Sequence, residues 1–514
     1  MTVSTQARTE IANPISGDYR IDVLLEDVSY RWNSPGPLQS SVTVTYSFMT
    51  AAPAYAEAED KRGFTAFTDD QKTAARQILK QIEQNFNITF REVTDSVLSY
   101  GQIRLGNNHQ GSTSSGYALL PDAATGDQAG DLYINNEDPE NLAKVTPGTY
   151  AYATLVHEIG HTLGLKHPGN YNAGEAASMD RGNYLVKTED TTANSIMSYV
   201  DAPQLQQRDF FGIFDFLALQ YLYGSRAVNS GNSTYTYTDI AGRTLQIIND
   251  NGGTDTIDVS ACTRATSIDL NEGAFSSIGR LDNRSGTAAR NNVSLAFGTI
   301  IENVIGSALA DTIIGNASDN SLKGGAGNDT LDGGAGLDTA IYAGTLASFS
   351  IQQTAAGYTV RDTVAAEGTD TWTAIERVHF ADKNLAFDMS GSAGNAAKFI
   401  AAALGAEFLK PAYDAVKGAV ISTFDGGTTV RQLAANIVGL DAFIQMEGSN
   451  SNTDFVKFIY KNVTGSAATT EQALSLVNYM QDNQMTQGDF LATVADLHLN
   501  VDLVGLARTG MEFV

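Results

Sequence analysis

The sequence predicts a multidomain chain: an α+β region first, then a stack of short β repeats, then an all-helical region. Three observations carry this. At 514 residues the chain is too long for one ordinary core. Its periodicity changes twice, near residues 240 and 390. A nine-residue repeat runs through 306–341, and each of its units can bury its apolar position only by stacking on its neighbours.

The first region mixes strand and helix signals. SVTVTYSF (41–48) alternates apolar and polar positions, as a strand does. In FTDDQKTAARQILKQIEQNF (67–86), Thr68 and Gln71 form a capping box. Ala75, Ile78, Leu79, Ile82 and Phe86 then make one apolar stripe at helical spacing. Strands are expected at ITFREV (88–93), QIRLG (102–106), GYALLP (116–121) and GDLYINN (130–136), and a second helix over 150–164.

Beyond residue 240, Gly, Asn, Asp and Thr dominate. The repeat reads GSALADTII, GNASDNSLK, GGAGNDTLD and GGAGLDTAI. From about 390 the pattern is helical again, with a further capping box at Thr469 and Gln472.

Composition limits the partners. With 32 Lys+Arg against 58 Asp+Glu the net charge is −26, which offers no basic footprint for nucleic acid. Cys262 is the single cysteine, so packing or metals must supply stability in place of an intramolecular disulfide. No apolar run is long enough for a transmembrane segment, and no Sec-type signal opens the chain.

Chemistry concentrates in HEIGHTLGLKH (157–167), which holds three of the six histidines. His157 and His161 are four apart, so a helix presents both on one face to one ion. Glu158 projects beside them, set to act as a general base. A continued helix would carry His167 ~9 Å further along the axis and off that face. Gly164 can take φ > 0 and end the helix, and Pro168 and Gly169 prevent its resumption. The chain can then return His167 as a third ligand. Three histidines leave the open coordination a catalytic zinc needs.

HEIGHTLGLKH resembles the metzincin signature, and SIMSY (195–199) resembles the Met-turn, with Met197 beneath the metal. HPGNY (167–171) and Tyr199, two residues after the methionine, are similar to the serralysin family. The resemblance implies an α+β metzincin-like catalytic domain with Tyr199 as a further zinc ligand that swings off to stabilise the oxyanion. It also implies that Gly116, Tyr117, Ala118 and Leu119 form a cleft edge that binds substrate by backbone pairing. The expected activity is a secreted zinc-dependent endopeptidase, hydrolysing peptide bonds by a zinc-activated water with Glu158 as general base. The alternatives are a non-enzymatic surface or adhesion protein with a structural zinc, and a selective surface-protein processing protease.

In GGAGNDTLDGGAGLDTAI, Gly325, Gly327, Gly334 and Gly336 permit tight turns, Asp329 and Asp338 offer hard oxygen ligands, and Leu331 packs inside. Oxygen ligation suits calcium. The segment resembles the RTX parallel β-roll. DNGGTDTIDVS (250–260) is similar to the serralysin calcium site, with Asp250, Gly252 and Asp255 matching and Glu302 as partner. RTX repeats imply a protein that locks on calcium outside the cell, exported by type I secretion machinery. The domains expected are a prosegment-like 1–20, a zinc metalloprotease domain 21–240, an RTX β-roll domain 241–390 and an all-α C-terminal domain 391–514. That last domain is expected to carry a secretion signal in its MEFV tail and to serve in cell-surface docking.

Overall fold

In the computed structural model the described residues are 15–26, 30–112, 114–141, 144–171, 184–281, 286–364, 367–497 and 501–514. The chain divides into two compact units, Met1–Thr312 and Ile313–Val514.

The first unit is built on a five-stranded sheet. Its strands are β1 (Val42–Phe48), β2 (Ile88–Glu92), β3 (Ile103–Asn108), β4 (Gly116–Ala118) and β5 (Asp131–Asn135), in the order β2-β1-β3-β5-β4. β1 runs parallel to β2 and β3, and β3 parallel to β5. β4 alone is antiparallel to its neighbour, and it forms the sheet's edge. The helix Asp69–Asn85 connects β1 to β2 and is capped reciprocally by Thr68 and Gln71. Its stripe of Ala75, Ile78, Leu79 and Ile82, with Phe86 after it, is buried against the sheet in one hydrophobic core. The helices Tyr150–Thr162 and Ile213–Tyr223 bury residues in the same core. The expected prosegment falls partly outside the described residues, at 1–14. Of the remainder, 15–20, only Tyr19 and Arg20 belong to a short helix, Tyr19–Asp22; Ile21, Val23, Leu24 and Leu25, beyond the expected boundary, are core residues.

In the second unit the nine-residue period is structural. Short strands begin nine apart, at Ser321–Lys323, Thr330–Asp332 and Thr339–Ile341. Ser321–Lys323 pairs in parallel with Thr339–Ile341, skipping the strand between them. That middle strand pairs in parallel with Thr369–Thr373 instead. Alternate strands therefore belong to two sheets, and Leu322, Leu331 and Ala340 are buried between them. This agrees with a parallel β-roll.

The C-terminal part is mostly helical, from Ser392–Ala403 to Leu503–Thr509. Phe399, Phe424, Phe455, Ile459 and Leu491 share one core there. It is not all helical. Met511–Phe513 is a strand antiparallel to Asn384–Ala386, and Met511 is buried. An apolar residue either side of Glu512 fits a strand edge, which the short tail gave too little length to reveal. No helix among the described residues is long and apolar enough to cross a membrane.

Candidate metal centre

The helix carrying HExxH starts at Thr149, whose hydroxyl accepts the Tyr152 N–H. Leu155, Val156 and Ile159 are fully buried and fix its rotation, so His157 and His161 point into the cleft. The helix ends at Thr162, two residues before the expected limit. Leu163 caps it and Gly164 follows at φ +100°. Gly164 N–H donates to His161 O at 2.9 Å and Leu165 N–H to Gly160 O at 3.1 Å, the paired bonds of a Schellman turn. A Cβ at Gly164 would stand 2.0 Å from Tyr30 O, so the position requires glycine twice over. The carbonyls left at the helix end are satisfied from afar. Trp32 Nε1–H donates to Thr162 O at 2.6 Å, and the Tyr223 hydroxyl to Leu163 O at 2.8 Å. Lys166 N–H donates to Leu24 O, which ties the returning loop to the core.

The turn brings His167 back. Its Nε2 lies 3.2 Å from His157 Nε2 and 3.0 Å from His161 Nε2. Four zinc–nitrogen bonds of roughly 2.05 Å in a tetrahedron separate their nitrogens by roughly 3.3 Å. His167 Nε2 thus already has the spacing of a zinc ligand from both other nitrogens, all three lie within 4.8 Å of one another, and they fit the ion. Their tautomers fit as well. His157 Nδ1 is 2.8 Å from Ile196 O and His161 Nδ1 is 2.8 Å from Leu165 O. A carbonyl only accepts, so each Nδ1 carries the proton and each Nε2 presents its lone pair. Burial, then the neighbouring His167, pushes the His157 pKa down to about 3, and His161 is lowered for the same first reason. Both rings are neutral, as metal ligation requires.

These residues line a cleft of about 700 Å³ together with Glu158, Tyr117 and Tyr199. Glu158 is 4% exposed, and its Oε2 is buried without a hydrogen-bond partner among the described residues. Burial raises its pKa to about 8. Its carboxylate lies against the edge strand: a Cβ on Gly116 would stand 2.9–3.1 Å from Glu158 side-chain atoms. Tyr117 pairs with Tyr133 and Ala118 with Leu132, and the Tyr117 hydroxyl donates to Asp60. Leu119 follows the strand, its N–H bonded inward to Asp131 O. No described strand pairs with the other edge of β4.

Met197 is fully buried beneath the site, and a Cβ on Gly160 would meet its Sδ at 2.7 Å. The turn that carries it is pinned by Asp215. That carboxylate accepts Ser195 Oγ–H, Ile196 N–H at 2.7 Å and Gly212 N–H at 2.7 Å. Tyr199 is 46% exposed, its ring 4.4 Å from the His167 ring and 4.7 Å from that of Tyr171. Sequence reasoning assigned no role to Asp215, Tyr171, Asp190 or Ser198. Tyr171 was at least signalled by its place in HPGNY. The others had no local signal, because their contacts close only through tertiary folding.

The remaining acidic positions fall in both units. In the first, Asp255 N–H donates to Glu302 Oε2 at 2.7 Å, and Asp250 Oδ2 accepts the Tyr235 hydroxyl at 2.7 Å. Burial and the charges of Asp250 and Glu302 raise the Asp255 pKa, against a lowering bond from Ser233. Gly252 N–H faces Asp250 Oδ1 at 3.4 Å. In the second, Gly325, Gly327, Gly334 and Gly336 all have φ between +90° and +134°. Asp329 and Asp338 are buried at the ends of these turns. Asp338 Oδ2 takes no hydrogen bond among the described residues. Burial first, then the charges of Glu376, Asp319 and Asp332, push the Asp338 pKa up to about 7.

Comparison with known proteins covers both parts. Residues 218–399 match the family described as Peptidase M10 serralysin C terminal, and residues 122–211 match Metallo-peptidase family M12B Reprolysin-like. Among curated relatives, metallopeptidase AprA of Pseudomonas marginalis is 32% identical over 52% of this chain and 58% of its own length. Serralysin of Photorhabdus sp. (strain Az29) is 34% identical over 54% and 59%. Serralysin C of Dickeya chrysanthemi is 35% identical over 55% and 60%. The chain thus spans about three-fifths of the length of these relatives.

Proposed function

We propose that this chain, which resembles serralysin-type metzincins over its matched residues, is a zinc-dependent endopeptidase. The observation that carries the reading is the convergence of three histidine nitrogens, His167 Nε2 standing 3.0–3.2 Å from the other two, beside the buried side chain of Glu158. Bound zinc would supply Lewis-acid polarisation of the scissile carbonyl and of the attacking water. His157, His161 and His167 would hold it, with Tyr199 as a fourth contact at rest. Glu158 takes the proton of the attacking water and returns it to the leaving amine. Tyr199, having left that resting contact and taken up a proton from solvent, would hydrogen-bond through its hydroxyl to the developing oxyanion.

The substrate is an extended peptide. The edge of Gly116–Ala118 that no described strand covers offers main-chain groups for antiparallel pairing, and such pairing reads backbone rather than side chain, so cleavage is broad. A structural zinc would be closed by four protein ligands with no buried acid beside it, and Glu158 weighs against that alternative.

Calcium is proposed at two places: the carboxylates of Asp250, Asp255 and Glu302, and the turns of Asp329 and Asp338. Oxygen donors and crowded negative charge support it. The protein then acts outside the cell after type I export. Surface docking through the C-terminal helices belongs to the same proposal, as does a zymogen held by the N-terminal segment.

The test is casein hydrolysis by Glu158→Gln beside wild type, in millimolar calcium, with zinc measured in both. A fall of roughly 10²- to 10⁴-fold with zinc retained is expected. Undiminished hydrolysis in the variant would remove Glu158 from the reaction.

A further inference from the structure

Tyr199 lies among three aromatic rings. Its centroid is 4.7 Å from Tyr171 at an interplanar angle of 24°, and 4.4 Å and 5.9 Å from His167 and His157. Tyr171 therefore stacks on the ring, and His167 lies beside both, its own centroid 5.9 Å from that of Tyr171. The backbone is held from the same place. Tyr199 N–H donates to Tyr171 Oη at 3.0 Å. Tyr171 Oη–H donates in turn to Asp190 Oδ1 at 2.8 Å. Asp190 is buried and also accepts Ser198 Oγ–H at 2.7 Å, while Ser198 Oγ accepts Val200 N–H at 3.0 Å. Residues 198, 199 and 200 thus hang from one anchor, the Asp190–Tyr171 pair.

We propose that Tyr171 is a positioning residue for Tyr199, holding its backbone and backing its ring so that the phenol faces the histidine centre and returns there after each swing. This rests on the reading of Tyr199 as a resting zinc contact given above. An exposed tyrosine has two free side-chain torsions. A stacked neighbour and a bonded backbone amide confine it to one arc, so the ordering is complete before substrate arrives. Tyr171→Phe keeps the ring and removes the hydroxyl. It strands the Tyr199 N–H and takes one donor from Asp190, a loss on the scale of one buried hydrogen bond, or roughly tenfold in population.

The experiment uses the full chain in calcium, as wild type, Tyr171→Phe, Tyr199→Phe and the double variant. Copper(II) in place of zinc reports phenolate contact through a visible charge-transfer band, and zinc protein reports kcat and KM. Bound metal is measured throughout. The expected result is a band in wild type, its loss in Tyr199→Phe, and a weakened, shifted band in Tyr171→Phe with metal content unchanged. In the zinc protein, kcat of Tyr171→Phe falls roughly tenfold with KM nearly constant, and adding Tyr171→Phe to Tyr199→Phe costs nothing more. A wild-type band that Tyr171→Phe leaves unchanged would overturn the proposal alone, as would an equal fall of kcat in the Tyr199→Phe background. Absence of the band in wild type, or its survival in Tyr199→Phe, would sink the underlying reading of Tyr199 and the proposal with it.

Discussion

The histidine centre of the first unit and the aspartate turns of the second start from opposite electrostatic conditions for the cations proposed there. His157 and His161 are neutral, their Nδ1 protons are committed to backbone carbonyls, and their Nε2 atoms already stand 3.0–3.2 Å from that of His167. The core of Leu155, Val156 and Ile159 holds that arrangement. Asp338, by contrast, is buried with Glu376, Asp319 and Asp332 as its charged neighbours, all of one sign. Such a site costs stability until a cation arrives. The difference teaches which job each metal has on this account. Zinc adds chemistry to a site that packing has built. The proposed calcium would add folding to turns that charge otherwise opens.

The comparison can be broken most sharply at His161. His161→Ala should abolish zinc retention and lower hydrolysis on the order of 10³-fold or more. The melting temperature should shift by only a few degrees, since the ring's other bond is a single one to Leu165 O. Metal analysis with calorimetry checks this, and a collapse of the fold would erase the contrast. Next in size is Leu331→Ala in the roll, where a fully packed residue leaves a cavity. A loss of about 3 kcal/mol is expected, read as an earlier denaturation midpoint with zinc-site activity per folded molecule unchanged. Gly164→Ala asks whether the zinc loop tolerates a Cβ against Tyr30 O at φ +100°. About 2 kcal/mol should be lost, with weaker zinc binding as His167 shifts.

The smallest effect is the most diagnostic. Asp338→Asn removes one of the crowded charges. Without calcium it should stabilise the second unit by about 1 kcal/mol, and with calcium it should destabilise it, because a ligand is gone. Denaturant curves with and without calcium would reveal the change of sign. A variant that weakens the protein equally in both conditions would mean that Asp338 serves packing alone.

How far the sequence could be read follows the same division between local and distant causes. The stripe Ala75–Phe86, the alternation of SVTVTYSF and the nine-residue period all express local geometry, and they became the helix, β1 and the repeat strands. The stop at Gly164 was equally legible, since a glycine followed by Pro168 leaves a helix nowhere to go. The expected helix ran to 164 because the pattern does not distinguish Leu163, whose carbonyl already faces Tyr223, from a helical residue. Other supports were illegible for a physical reason. Trp32 bonds to Thr162 across 130 residues, Asp215 pins a turn 19–20 residues away, and Tyr171 reaches Tyr199 across 28. Such contacts leave no periodic trace. The terminal strand Met511–Phe513 is the same case, a three-residue segment defined only by the partner it meets.

One titration tests the central claim directly. The protein is stripped of divalent ions, then given zinc alone, calcium alone and both, with circular dichroism and casein hydrolysis followed in each state. The account predicts that calcium alone restores the strand signal without activity, that zinc alone restores neither in full, and that both together restore hydrolysis. Hydrolysis with calcium alone after verified removal of zinc, or a complete fold regained on zinc alone, would contradict it.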